Sequence, residues 1–279
     1  NILHLIPTRA SSYSTSAKEI LENAPKELIN AKNKFGYTPL HMYVMGRRPS
    51  PEHLYYLLLH SSEKNIIVGF GVGSLNKNVY SIVTQFKDDT TVKQKFNAAW
   101  QKCTKIKQEI KKKVSEFKQE LVKKKKITKE DMFKMHSLEM EPFLPNIAGK
   151  IREESVYLRG EEYTVKNLKG EIKKFLKLFN EAFKESTKHK KSYAQFEKMV
   201  KTGLKLYNEY VKIQPSQDGN KRVAGDFLDV FLHNNGYILK EMPKDKYLQF
   251  GYLALQARES NAKYEDFVDF GMDYIEKIQ

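Results

Sequence analysis

Gln214-Pro215-Ser216-Gln217-Asp218-Gly219-Asn220-Lys221-Arg222 is the stretch on which both the fold and the chemistry of this chain turn. Asp218-Gly219-Asn220 is turn chemistry leading directly into a helix start. Glycine lets the backbone fold tightly so that successive N–H groups point outward, and the helix N-terminus adds partial positive charge, which together make an anion nest. Lys221 and Arg222 set two cations beside it. Asp218 is the odd member, because a carboxylate next to a phosphate nest repels the anion unless a divalent cation such as Mg²⁺ bridges them. The combination points to a nucleotide with a metal, Asp218 being the metal-binding residue. A plainer alternative stays open on the loop alone: Asp218 and Asn220 shape the turn and cap the helix.

The loop sits between helices that the hydrophobic spacing predicts. Leu168, Ile172, Phe175, Leu176, Phe179 and Phe183 define one upstream helix. Ser192 with Gln195 caps the next, which presents Phe196, Val200, Leu204, Tyr207 and Val211 at helical intervals. After the loop a third runs from about Lys221 through Phe227, Val230 and Phe231 to Asn234-Asn235-Gly236, where Gly236 suits a left-handed C-cap. Final helices hold Tyr252, Leu255, Phe267 and Tyr274. Upstream, Thr128-Lys129-Glu130-Asp131 resembles a capping box, Pro142 and Pro145 mark a loop, and Ile147 to Tyr157 reads as a short extended element.

Before this lies one long amphipathic helix, from Thr91 to Lys126, with Val92, Phe96, Cys103, Ile106, Ile110, Val114, Phe117 and Leu121 on its apolar stripe. Lysine fills the rest and ends in Lys123-Lys124-Lys125-Lys126. A solvated outer face above a packed one is the favoured reading, ahead of contact with RNA or acidic lipid. Cys103 falls on the apolar stripe and reads as a buried structural thiol, since no helix start or basic cluster on that face lowers its pKa.

The first part of the chain carries its own pattern. Phe35-Gly36-Tyr37-Thr38-Pro39-Leu40-His41-Met42-Tyr43 closely follows the ankyrin signature. Ile2-Leu3-His4-Leu5-Ile6 reads as a degenerate second copy, 37 residues away. Between them Ala17, Ile20, Leu21 and Leu28-Ile29 supply the apolar side of the second repeat helix, and Ser50-Pro51-Glu52 caps the helix through Leu54 to Leu59. Ile66 to Val83 reads as a third, poorly matching repeat, in which Gly69, Gly71 and Gly73 are structural and do not make a phosphate loop.

Composition sets the outer bounds. The 279 residues, 40% hydrophobic, suffice for a buried core in one or two domains. No apolar run approaches the roughly 20 residues a bilayer span needs, and the start does not resemble a signal peptide. The chain opens on Asn1 inside what reads as a repeat, so an upstream segment is expected. The single cysteine excludes an internal disulfide and suits a reducing, cytoplasmic compartment. A net charge of +15 invites a nucleic-acid reading, but the excess is lysine rather than the arginine forks that read bases, so nucleic acid ranks low among partners. His4, His41, His53, His60, His136, His189 and His233 show no metal-ligand spacing and are read as structural.

The loop resembles the Fic motif, His-Pro-Phe-x-Asp/Glu-Gly-Asn-Gly/Lys-Arg, with Pro215, Asp218, Gly219, Asn220, Lys221 and Arg222 kept. Ala148-Gly149-Lys150-Ile151-Arg152 followed by Val156-Tyr157 is similar to the family's Ala-Gly-x-x-Arg stretch and flap, and Leu232 to Tyr237 to its usual helix end. The resemblance implies an all-α fold: ankyrin-like repeats over 1–85, a basic connecting helix over 86–127, and over 128–279 a Fic-type core with a small β-hairpin flap. It implies ATP or another nucleotide with Mg²⁺ as cofactor. Asp218 would hold the metal, Gly219 and Asn220 form the nest, Lys221 stand at the Gly/Lys position, Arg222 bind distal phosphates and Tyr157 lie in the flap over the nucleotide. Val156, Tyr157 and Leu158 would align a target segment by strand pairing.

In the family the motif histidine takes the proton of a target hydroxyl that attacks the α-phosphate of ATP; some relatives transfer phosphocholine or phosphate. Here that position is Gln214, whose amide cannot serve as a general base near neutral pH. Loss of such a base typically costs about 10²- to 10⁴-fold in rate. Ser216 replaces an anchoring phenylalanine and Gly225 a second arginine, a set of departures that fits natural divergence. No inhibitory Ser/Thr-x-x-x-Glu-Gly/Asn helix is found. Three readings follow: a degenerate AMP- or phosphate-group transferase acting on a host protein, of the ankyrin-plus-Fic kind that bacteria deliver into host cytoplasm; an inactive Fic pseudoenzyme that binds partners through its repeats and flap; and, third, a basic-helix binder of nucleic acid or acidic lipid.

Overall fold

The computed structural model describes residue 3 and residues 15–45, 51–72, 82–83, 86, 90–124, 126–158, 161–185, 192–257 and 260–278. The fold is all-α, with two small antiparallel strand pairs among the described residues. The chain divides into two units, residues 1–111 with 140–148, and residues 112–139 with 149–279.

In the first unit, α1 (Thr15–Glu22), α2 (Lys26–Asn30), α3 (Pro39–Met45), α4 (Pro51–His60) and α5 (Glu63–Val72) are short helices. The Thr38-Pro39-Leu40-His41 start of α3 is built by its own side chains. The Thr38 N–H donates to His41 Nδ1 at 2.9 Å, and Thr38 Oγ1 lies 2.6 Å from the same nitrogen. Gly36, at φ +88°, makes the turn that delivers the chain to them. Leu21 and Ile29 are buried as expected, but Ile20 and Leu28 are 40% and 43% exposed. The cause is Pro25: it ends α1 early and starts α2 afresh, so the expected single helix is two and their apolar residues no longer share one face. The copy expected at Ile2 to Ile6 lies, apart from the buried Leu3, outside the described residues, as do Ser50 and Gly73.

The long helix α6 spans Thr90–Lys123. Its N-terminal part stacks Phe96 on Trp100 and sets Phe70 edge-on to both. Two of its lysines finish other helices: Lys95 Nζ donates to the carbonyls of Leu58 and Leu59 at the end of α4, and Lys107 Nζ to that of Phe70 in the last turn of α5. Part of the lysine excess is thus structural. Cys103 is buried, and burial pushes its thiol pKa up, as an inert core thiol requires.

The second unit contains the C-terminal part of α6, helix α7 (Lys129–Met140) up to Glu139, the hairpin β1 (Val156–Leu158) and β2 (Glu161–Tyr163), α8 (Leu168–Glu185), α9 (Tyr193–Ile213), α10 (Asn220–Asn234), β3 (Tyr237–Leu239), α11 (Lys244–Gln256), α12 (Asn261–Met272) and β4 (Ile275–Lys277). The predicted capping boxes form. The Thr128 and Asp131 side chains and N–H groups bond reciprocally at the start of α7, and Ser192 and Gln195 do the same at α9. An aromatic core made of Phe175 and Phe179 on α8, Tyr210 on α9 and Phe227 on α10 holds the three helices together. Gly203 lets α9 and α10 approach closely: a methyl there would meet Leu228 Cδ1 and Phe231 Cδ1 at 3.0 Å. Tyr274, expected in a final helix, instead follows the end of α12, where the chain turns into β4 and pairs antiparallel with β3. This second strand pair joins residues nearly forty apart and leaves no local period to read.

Candidate functional site

The loop 214–219 links the C-terminus of α9 to the N-terminus of α10. Gln214 closes α9 in the left-handed conformation, φ 47° and ψ 60°, where it is the positive-φ residue among the described residues other than glycine. For a residue with a Cβ this costs roughly 1–2 kcal/mol, and such strain persists only where the surroundings hold it. The surroundings are hydrogen bonds. The Gln214 Nε2 group donates to the Val211 carbonyl at 2.7 Å, and its Oε1 accepts from Asn220 Nδ2 at 2.9 Å. The side chain is 5% exposed, with both ends of its amide occupied.

Asn220 is the keystone of the turn. Its Oδ1 accepts from the Ser216 N–H at 3.0 Å, while its Nδ2 donates to the Ser216 carbonyl at 2.7 Å as well as to Gln214. An Asn at this place supplies two donors and an acceptor in one plane, which no other small residue does. The expectation that Asn220 contacts a phosphate is thereby narrowed: its side chain is buried inside the loop, and only its backbone N–H, in the first turn of α10, has the position of a nest donor. Ser216 is fully buried, and its Oγ has no hydrogen-bond partner.

Gly219 precedes α10 at φ +76°, a conformation that glycine adopts without strain. Its N–H points at Asp218 Oδ1, 2.6 Å away. Lys221 is exposed and Arg222 partly so in the first turn of the helix. Arg222 Nη1 lies 3.5 Å from Glu139 Oε2, so in this structure the cation already faces a carboxylate. The expected cluster, Asp218, Gly219, Lys221 and Arg222 at one helix N-terminus, is therefore brought together, with Gln214 and Asn220 beneath it as scaffold. Tyr157 lies on β1, and its side chain is outside the described residues.

Two residues outside the loop brace it. His136, fully buried on α7, accepts the Gly149 N–H at Nδ1 (2.8 Å), which leaves Nε2 to donate to the Asp218 carbonyl (2.8 Å). Burial holds its pKa below the usual histidine range. Arg152 clamps the other side: its N–H donates to the Pro215 carbonyl at 2.9 Å and its Nε to that of Gln214 at 2.6 Å. The Ala148 to Arg152 stretch was a visible signal for Arg152, whereas nothing in the spacing of His136 was. The hairpin is pinned to the same place, since the Tyr163 hydroxyl donates to the Lys212 carbonyl in the last turn of α9.

Asp218 is the residue here that could hold a metal, and the N–H groups at the start of α10 with Lys221 and Arg222 are those that could meet a phosphate. Asp218 offers one carboxylate, and no group of three or more metal-ligating side chains occurs among the described residues. No described helix is long and apolar enough to cross a membrane.

No protein-family model matches the chain, and no curated protein matches it. Among solved structures, Fic-1 (residues 134–508) from C. elegans is similar with a TM-score of 0.42 at 12% identity, covering 97% of this chain and 93% of that one. At that level the functional reading rests on the loop itself.

Proposed function

We propose that the second unit is a Fic-type domain that binds a nucleotide, or another phosphate-bearing ligand, with Mg²⁺, and that its proton-transfer step is disabled, so that the chain acts on a protein partner by binding. One observation carries this. A left-handed Gly219 opens the 15-residue α10 with Asp218, Lys221 and Arg222 around its N-terminus, while Gln214, at the place of the base, is buried and hydrogen-bonded at both ends of its amide. The first set attracts a phosphate anion and its metal; the second offers no group able to accept a proton. Asp218 would hold the metal, which neutralises phosphate charge, and Arg222 would meet a distal phosphate by exchanging Glu139 for it.

The ankyrin-like helices and the edge of β1 are the surfaces to which we assign a protein partner; a bacterial effector working in host cytoplasm is the setting in which such a pair of units would act. A second reading, residual AMP or phosphate-group transfer through positioning alone, keeps the same phosphate site. Photocrosslinking with an azido-ATP analogue and Mg²⁺, competed by ATP, is expected to label the chain, while α-labelled ATP in a eukaryotic cell extract leaves extract proteins unlabelled. Labelled extract proteins that disappear with Asp218→Ala would overturn the loss of transfer, and absence of crosslinking would overturn the phosphate site.

A further inference from the structure

Four residues after Arg222, on the same face of α10, Asp226 is buried among charges that its surroundings do not balance. Its Oδ1 lies 3.3 Å from Lys118 Nζ on α6, and its Oδ2 is buried with no hydrogen-bond partner. Lys118 is also committed to Asp229, at 2.8 Å, so one ammonium serves two carboxylates. A third, Glu139 on α7, faces Asp226 and is itself paired with Arg222. Among the described residues, Tyr210 on α9 and Tyr247 on α11 also face Asp226. Among the described residues, with Asp226, Asp229 and Glu139 ionised against Lys118 and Arg222, the cluster carries one uncompensated negative charge, and the Asp226 side chain is only 12% exposed to water. Such a charge is expelled by taking up a proton, and the orphaned Oδ2 is where that proton has room. Burial first, then Glu139 and Asp229, push the Asp226 carboxyl up to about 7, against the pull of Lys118.

We infer that Asp226 is a proton-binding site coupled to anion binding at Arg222. The inference rests on the phosphate-site reading given above. An anion seated on Arg222 adds negative charge and draws the guanidinium from Glu139, whose carboxylate then bears more fully on Asp226. The affinity of Asp226 for a proton rises, and the proton comes from solvent onto Oδ2 with no other bond made or broken. Linkage fixes the sign: binding takes up a proton, and affinity falls as pH rises from about 7, approaching tenfold per pH unit between the Asp226 pKa values of the unbound and bound states.

The test is calorimetry of the full chain with Mg²⁺-ATP at pH 8, in two buffers of different protonation enthalpy, combined with a carbon-13 NMR titration of labelled aspartate carboxyls. We expect proton uptake of a sizeable fraction of one equivalent. Asp226→Asn should bind with the uptake abolished, and Glu139→Gln should lower the pH at which the Asp226 carboxyl titrates. Undiminished uptake in Asp226→Asn, or none in the unmodified chain while it binds, overturns the coupling. If ATP does not bind, the coupling and the phosphate reading fall together, and the NMR titration separates them from the proton site. A carboxyl titrating near 7 and lost in Asp226→Asn upholds that site; titration of every aspartate below pH 5 overturns it.

Discussion

Replacing Asn220 with alanine removes three side-chain hydrogen bonds inside the loop, and the cost follows from the buried groups it leaves unpaired. The Ser216 N–H, the Ser216 carbonyl and Gln214 Oε1 each lose their Asn220 partner, in a place where Ser216 is fully buried and Gln214 is 5% exposed. An unmet buried group costs about 1–3 kcal/mol, so with partial relaxation we expect Asn220→Ala to destabilise by roughly 3 kcal/mol. In urea, at a slope of about 2–3 kcal/mol/M, the midpoint followed by far-UV circular dichroism falls by about 1 M. Asn220→Asp is expected to fare no better despite its shape, because it turns a carboxylate oxygen toward Gln214 Oε1 and the Ser216 carbonyl. A loss below about 1 kcal/mol for the alanine variant, or an aspartate variant as stable as the parent chain, would refute the claim that this side chain holds the turn.

Three further outcomes are expected. Ser216→Ala removes a buried hydroxyl that has no partner and should raise stability by roughly 1 kcal/mol, read as a higher thermal midpoint. Gly71→Ala places a methyl 2.0 Å from Phe143 Cδ1, where the ring is buried, and should cost roughly 1–3 kcal/mol by overpacking; an unchanged denaturation midpoint would show that the ring has room to move. Asp131 is pushed up by burial, but the Lys124 and Thr128 hydrogen bonds outweigh this and its pKa ends below the usual 3.8. The stability it contributes is therefore complete above pH 3.8 and is lost as pH falls through the lower folded value. Asp131→Asn should flatten the acid limb of a stability-against-pH profile, and an unaltered limb would contradict the assignment.

What the sequence revealed was local. The Ser192 and Gln195 cap, the aromatic row from Phe175 to Phe183, the glycine-opened start of α10 and the Thr38 to His41 turn each depend on residues within a few positions of one another, and each forms. What escaped reading was long-range. His136 reaches Asp218 across 82 residues and Arg152 reaches Gln214 across 62, so no periodicity announces either. The pairing of Arg222 with Glu139 and the crowding around Asp226 depend on the packing of α6 and α7 against α10, which spacing along the chain does not encode. The sequence shows Gln214 as an amide that cannot act as a base, but its role as a hydrogen-bonded, left-handed helix end required the fold.

Calorimetric titration of the chain with ATP and Mg²⁺, beside Asp218→Ala and Arg222→Ala checked for retained helicity, tests the phosphate site most directly. We expect micromolar binding, near −8 kcal/mol, that is lost in both variants. No binding in the parent chain, or equal binding in all three, would contradict it.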